Sequence, residues 1–132
     1  MLERELMKPP ICLFGSAEKG TFCVPIMIDS LVPLLDKLGH PPLETAGINY
    51  AIQSLLFKER LMYFRVSEEG YSINDYMTGL KWIKKTSPEI SAICLPGASD
   101  PEILHATLAV CNKLQCPLLM SEKDLYDYLT VK

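Results

Sequence analysis

Four short apolar runs, each edged by proline or glycine or followed by a polar turn, constrain this chain most. They are 10–15 (PICLFG), 61–66 (LMYFRV), 90–95 (ISAICL) and 116–120 (CPLLM). Runs of this length, rich in branched and aromatic residues and bounded by turn formers, read as buried strands rather than helices. Consecutive apolar residues, without alternation, are the mark of a strand covered on both faces, as in a parallel sheet.

The intervening segments carry helical spacing. Phe22–Leu38 places Val24, Met27, Ile28, Leu31, Leu35 and Leu38 at that spacing. A helix there would put Pro25 in its first turn, where the missing N–H costs nothing, and would be kinked or split at Pro33. Gly39 and then Pro41 and Pro42 would end it. Ile48–Arg60 has a stripe of Ile48, Ala51, Ile52, Leu55 and Leu56. Ser72–Lys85 opens on Ser72-x-x-Asp75, a variant of the capping box, and its stripe is Ile73, Tyr76, Met77, Leu80 and Ile83. Pro101–Leu114 follows Ser99 and Asp100, either of which can cap it. Ser121-x-x-Asp124 starts a last helix that runs to about Leu129.

Strands alternating with helices demand parallel pairing through crossovers. The expected fold is therefore α/β: a three-layer α/β/α sandwich with about four parallel strands, Rossmann-like or flavodoxin-like. A chain of 132 residues suits one domain, so residues 1–132 are read as a single α/β domain with 1–8 as an N-terminal arm. Apolar residues at 48% and charged residues at 22% match an ordinary globular domain and exclude a disordered or collagenous chain.

The net charge is −3, and the densest basic group, Lys81, Lys84 and Lys85, fits one solvated helix face. Nucleic acid is not an expected partner, because its binders carry a clustered basic excess. No apolar run approaches the about 18 residues of a membrane span, so no membrane partner is expected. The charged stretch Met1–Lys8 lacks the apolar core of a signal peptide. Five cysteines, with no C-x-x-C pair and no histidine at zinc-ligand spacing, read as reduced thiols without a metal centre. The expected setting is cytoplasmic.

Ligands of open parallel sheets bind beyond the carboxyl ends of the strands, which selects the loops 15–21, 67–72, 96–100 and 121–122. In the first, Ser16, Glu18, Lys19 and Thr21 could meet an anion at a helix N-terminus. The Walker pattern is not met, because Thr21 and Phe22 stand where Lys and Ser or Thr are needed; the dinucleotide pattern G-x-G-x-x-G is not met either. In the third, Gly97, Ser99 and Glu102 are the candidates. That turn resembles in outline the one in cytokinin-activating phosphoribohydrolases, whose pattern is P-G-G-x-G-T-x-x-E. Here Ala98 replaces the second glycine, Asp100-Pro101 replaces Gly-Thr, and Glu102 falls two residues early, so no membership follows. Glu18, Glu68, Glu69, Asp100, Glu102 and Glu122 all fall at this edge. They would hold Mg²⁺ if they converged, or serve as caps, since carboxylates are favourable near helix N-termini. Cys23, near Lys19 and an expected helix start, is a candidate low-pKa thiol. His105 is expected to be exposed.

Trp82 falls opposite Ile73 on the expected helix, beside Gly79. It is therefore expected on the outer face as an interface residue, with Tyr126 similarly outward. Two functions follow. The first is a non-catalytic binding or interaction module that associates with itself or with another protein. The alternative is a small enzyme acting on a nucleotide or phosphorylated metabolite at the carboxyl edge. No catalytic residue and no cofactor is assigned by either.

Overall fold

The structure, a computed structural model, describes residues 8–131. The N-terminal arm lies outside the described residues except for Lys8. The elements are β1 (Ile11–Gly15), β2 (Ile26–Ile28), α1 (Leu31–Leu38), α2 (Gly47–Leu56), β3 (Leu61–Arg65), α3 (Ile73–Thr86), β4 (Ala92–Cys94), α4 (Pro101–Leu114), β5 (Leu118–Leu119) and α5 (Glu122–Thr130).

The sheet runs β2-β3-β1-β4-β5. β1 pairs in parallel with β3 and β4, and β4 in parallel with β5. Among the parallel strands the chain order is second-first-third-fourth, that of a doubly wound sheet. The α/β/α reading and the four parallel strands stand. β2 is an addition to them: it lies antiparallel on the outer side of β3, with Met27 opposite Met62.

Alternation along β1 and β3 divides the core. Ile11, Leu13, Leu61 and Tyr63 pack on one face with Leu34 and Leu38 of α1, Ile48 and Ala51 of α2 and Leu125 of α5. Cys12, Phe14, Met62 and Phe64 pack on the other with α3 and α4. β1 and the first four residues of β3 are thus apolar throughout because both of their faces meet helices.

The single helix expected over Phe22–Leu38 is corrected to a strand and a shorter helix. Cys23 takes a left-handed backbone, φ 61°, and Ser30 is extended, φ −158°, as the residue before α1. Pro33, expected to be an interior kink, sits in the first turn of α1, where a backbone N–H would have no helical acceptor and its absence costs nothing. Among the described residues, no helix is long and apolar enough to cross a membrane.

Candidate functional site

The switch point of the sheet lies between β1 and β4, where the connections leaving these two neighbouring strands run in opposite directions, toward β3 and toward β5. At the carboxyl end of β1 the chain has no side chain to spare: Gly15 lies against Gly47, the first residue of α2. A Cβ on Gly47 would come 2.9 Å from the Gly15 Cα and 2.7 Å from a carboxylate oxygen of Glu69. Both glycines are needed for this approach.

α2 starts without a capping side chain, since Ala46 precedes it. Glu69, from the loop after β3, supplies the missing acceptor. Its carboxylate takes the Ala46 N–H at 2.6 Å, the Gly47 N–H at 2.9 Å and the Ser16 N–H at 3.0 Å. A negative group at a helix N-terminus is the favourable sign. The Glu69 N–H donates in return to the Ser16 hydroxyl at 3.0 Å, and the Tyr63 hydroxyl donates to the Ser16 carbonyl at 2.7 Å. Burial, then the nearby Glu69 charge, push the Tyr63 phenol well above its ordinary pKa.

The same loop continues across the switch point. The Gly70 N–H donates to the Tyr76 hydroxyl at 2.6 Å. A side chain on Gly70 would collide with the Gly97 carbonyl, so the two glycine turns touch. Glu69 and Gly70 therefore fill the crevice where such sheets commonly take a ligand. The amides expected for an anion at the end of β1 are spent on the chain's own carboxylate.

The sequence candidates separate accordingly. Ser16 is buried in this network and comes near Gly97 through Glu69 and Gly70. Glu18, Lys19 and Thr21 are exposed. They do not lie at a helix N-terminus: the Glu18 and Lys19 amides donate to the Leu38 carbonyl, at the carboxyl end of α1. Glu18 itself accepts the His40 N–H at 3.0 Å. Arg65 anchors the loop by donating to the Gly20 carbonyl at 2.6 Å and lying over the Phe22 ring at 4.0 Å. Ser99 is exposed; Asp100 caps α4, accepting from the Glu102 N–H at 2.8 Å. Glu102 points to the groove between α3 and α4, which it lines with Lys81, Lys84 and Lys113. Among the described residues, no three acids, cysteines or histidines gather to hold a metal ion.

Two further expectations change. Cys23 donates to an Asp75 oxygen at 3.3 Å. Burial and that carboxylate push its pKa up to about 11, the opposite of an activated thiol. Ser72 does not cap α3 with its side chain; Asp75 instead accepts the Ser67 N–H at 2.7 Å.

Trp82 is half-buried, not on the outer face. Its ring meets Phe64 edge-on, centroids 5.9 Å apart. The buried stripe of α3 is Tyr76, Gly79, Leu80 and Ile83, so Gly79 faces the sheet and Trp82 flanks it. Tyr126 does stand outward, 52% exposed, with its ring edge-on to Phe57 at 6.3 Å. His105 is exposed.

A surface the sequence reading missed lies along the sheet's outer edge. Phe22, Val24 and Met27 around β2, and Leu31, Val32 and Leu35 on α1, are large apolar residues left exposed, Val32 by 70%. Met27 shows why. It pairs with Met62, so it shares the face that α3 and α4 cover elsewhere, but β2 lies beyond β3 at the rim. The signal was present in the sequence: Phe22–Leu35 holds one charged residue, Asp29.

No known protein family, curated protein or solved structure matches the chain.

Proposed function

We propose that the protein is a non-catalytic interaction module of Rossmann-like build that associates with a second copy of itself through the rim formed by β2 and α1. The observation that carries this reading is the run of six exposed large apolar residues between Phe22 and Leu35. Single exposed apolar side chains are ordinary, whereas six within the one segment that forms the edge strand and α1 favour a contact surface. A two-fold interface sets one patch against its own copy, and the cations at this rim, Arg65 and Lys37, are engaged with the Phe22 ring and the Met27 carbonyl. Lys37 donates to the Met27 carbonyl at 3.0 Å and so occupies a backbone acceptor at the sheet edge. Association is thus assigned to apolar side chains rather than to strand addition. Tyr126 belongs to a smaller exposed patch with Phe57.

Size-exclusion chromatography with light scattering, run on wild type and on the Val32→Lys/Leu35→Lys double variant, tests this. The dimer is expected for wild type and the monomer for the variant, with unchanged circular dichroism. A wild-type monomer that instead retains a partner only through this rim would assign the surface to another protein.

The alternative, a small enzyme binding a nucleotide or phosphorylated metabolite at the carboxyl edge, has less support. Its ligand would have to displace Glu69 from the amides of Ser16, Ala46 and Gly47. A thermal-shift screen with nucleotides and sugar phosphates separates the two readings.

A further inference from the structure

α4 ends in a Schellman-type turn. Gln115 is left-handed, φ 57°, and the Cys116 N–H donates to the Cys111 carbonyl at 3.0 Å. This six-residue closure normally brings an apolar side chain before the cap against one after it. Here both of those positions are cysteines. With the amide of one bonded to the carbonyl of the other, covalent geometry holds their Cα atoms within about 7 Å, inside the reach of a disulfide. Both residues line one open surface cavity of about 660 Å³ with His105, Asn112 and Leu118. Cys116 is partly exposed and Cys111 is buried behind it. The remaining thiols differ: Cys12 and Cys94 are fully buried in the sheet, and Cys23 is held by Asp75.

We propose that Cys111 and Cys116 form a thiol-modification site at which a low-molecular-weight disulfide is reduced and the pair is closed into an intrachain disulfide. The Cys116 thiolate attacks one sulfur of the small disulfide, forming a mixed disulfide and expelling one thiolate. Cys111 then gives up its proton to solvent and its sulfur attacks the Cys116 sulfur. The second small thiolate leaves and is protonated. Two protein thiols are oxidised and one small disulfide becomes two small thiols. The order of attack follows exposure. The neighbouring Cys111 thiol lowers the Cys116 pKa against the opposing effect of burial, while Cys116 and burial raise that of Cys111.

The probe is oxidised glutathione, applied to the full chain under native conditions and followed by alkylation and tryptic mapping. Lys113 lies between the two cysteines, so cleavage leaves their peptides joined only if the disulfide has formed. Wild type is expected to give the joined 111–116 peptides, no retained glutathione, and three of its five cysteines still open to alkylation after denaturation. Cys111→Ser should trap one glutathione on Cys116, and Cys116→Ser should retain none at Cys111. A wild type that keeps glutathione on Cys116, joins any other pair, or does not react overturns the proposal. Either set of outcomes is readable on a monomer, so it stands apart from the self-association proposed above.

Discussion

Ser16 and Glu69 are tied in both directions: the Ser16 amide donates to the Glu69 carboxylate and the Glu69 amide donates to the Ser16 hydroxyl, each at 3.0 Å. This reciprocal pair joins the end of β1 to the loop after β3, and the same carboxylate caps α2. Replacing Glu69 by Ala would leave the amides of Ser16, Ala46 and Gly47 without their acceptor. Hydrogen bonds to a charged group contribute about 1.5–3 kcal/mol each, and solvent would recover part of the loss. Glu69→Ala is expected to lower the free energy of unfolding by about 2–3 kcal/mol in urea titration. Gln at 69 should recover only part of this, because its NH₂ group would face donors.

Gly79→Ala sets two effects against each other. Alanine is favoured over glycine in a helix by about 1 kcal/mol. The added Cβ, however, would lie 2.6 Å from Phe14 and 2.9 Å from Phe64. Neither ring can swing away freely, since Phe14 stacks on both Phe64 and Tyr76. Overpacking of this kind costs about 1–3 kcal/mol, so the expected outcome is a net loss of stability. The melting temperature reads it directly, and a stabilised Gly79→Ala would show that α3 lies farther from the sheet.

Asp75 provides an acid-sensitive contact. Burial acts to raise its pKa, but the Ser67 amide, together with the Cys23 thiol and Ser72, pulls it below the usual carboxylate value. The folded form therefore holds its proton less tightly than the unfolded form. Its stabilising contribution is complete above the unfolded value, about 3.9, and is lost as pH falls through the folded value. Thermal melts from neutral pH down through this window should show a shallower acid limb for Asp75→Asn than for wild type.

Tyr76 gives the opposite sign at high pH. Burial pushes its phenol up to about 12. Its contribution is present below the ordinary tyrosine value, about 10, and fades as pH rises through about 12. Ultraviolet titration should show Tyr76 ionising with alkaline unfolding rather than before it. Tyr76→Phe should remove this late step and cost about 1 kcal/mol, by stranding the Gly70 amide.

Much of the architecture was legible because it is local. The four parallel strands are short apolar runs closed by turn formers, and Ser121 with Asp124 forms the capping box that its spacing announces. β2 was not legible. Its apolar residues continue the helical spacing of α1, and only the antiparallel partner Met62 decides between strand and helix. Trp82 does lie opposite Ile73 on α3, but Ile73 is half-buried at the margin of the stripe that Tyr76, Gly79, Leu80 and Ile83 form, so the position opposite it is not the outermost. The role of Glu69 is non-local, spanning 53 residues to Ser16. Its trace in the sequence is an omission: Ala46-Gly47 begins a helix with no Ser, Thr, Asp or Asn at the cap.

The central claim is that the β2–α1 rim is a self-association surface. Sedimentation equilibrium over a range of protein concentrations tests it most directly, with wild type and Val32→Lys/Leu35→Lys compared. A wild-type molar mass that rises with concentration toward twice that of the chain, and a variant that stays at the single-chain mass, is the predicted result. A wild type that remains at the single-chain mass throughout, or a variant that associates equally well, would contradict it.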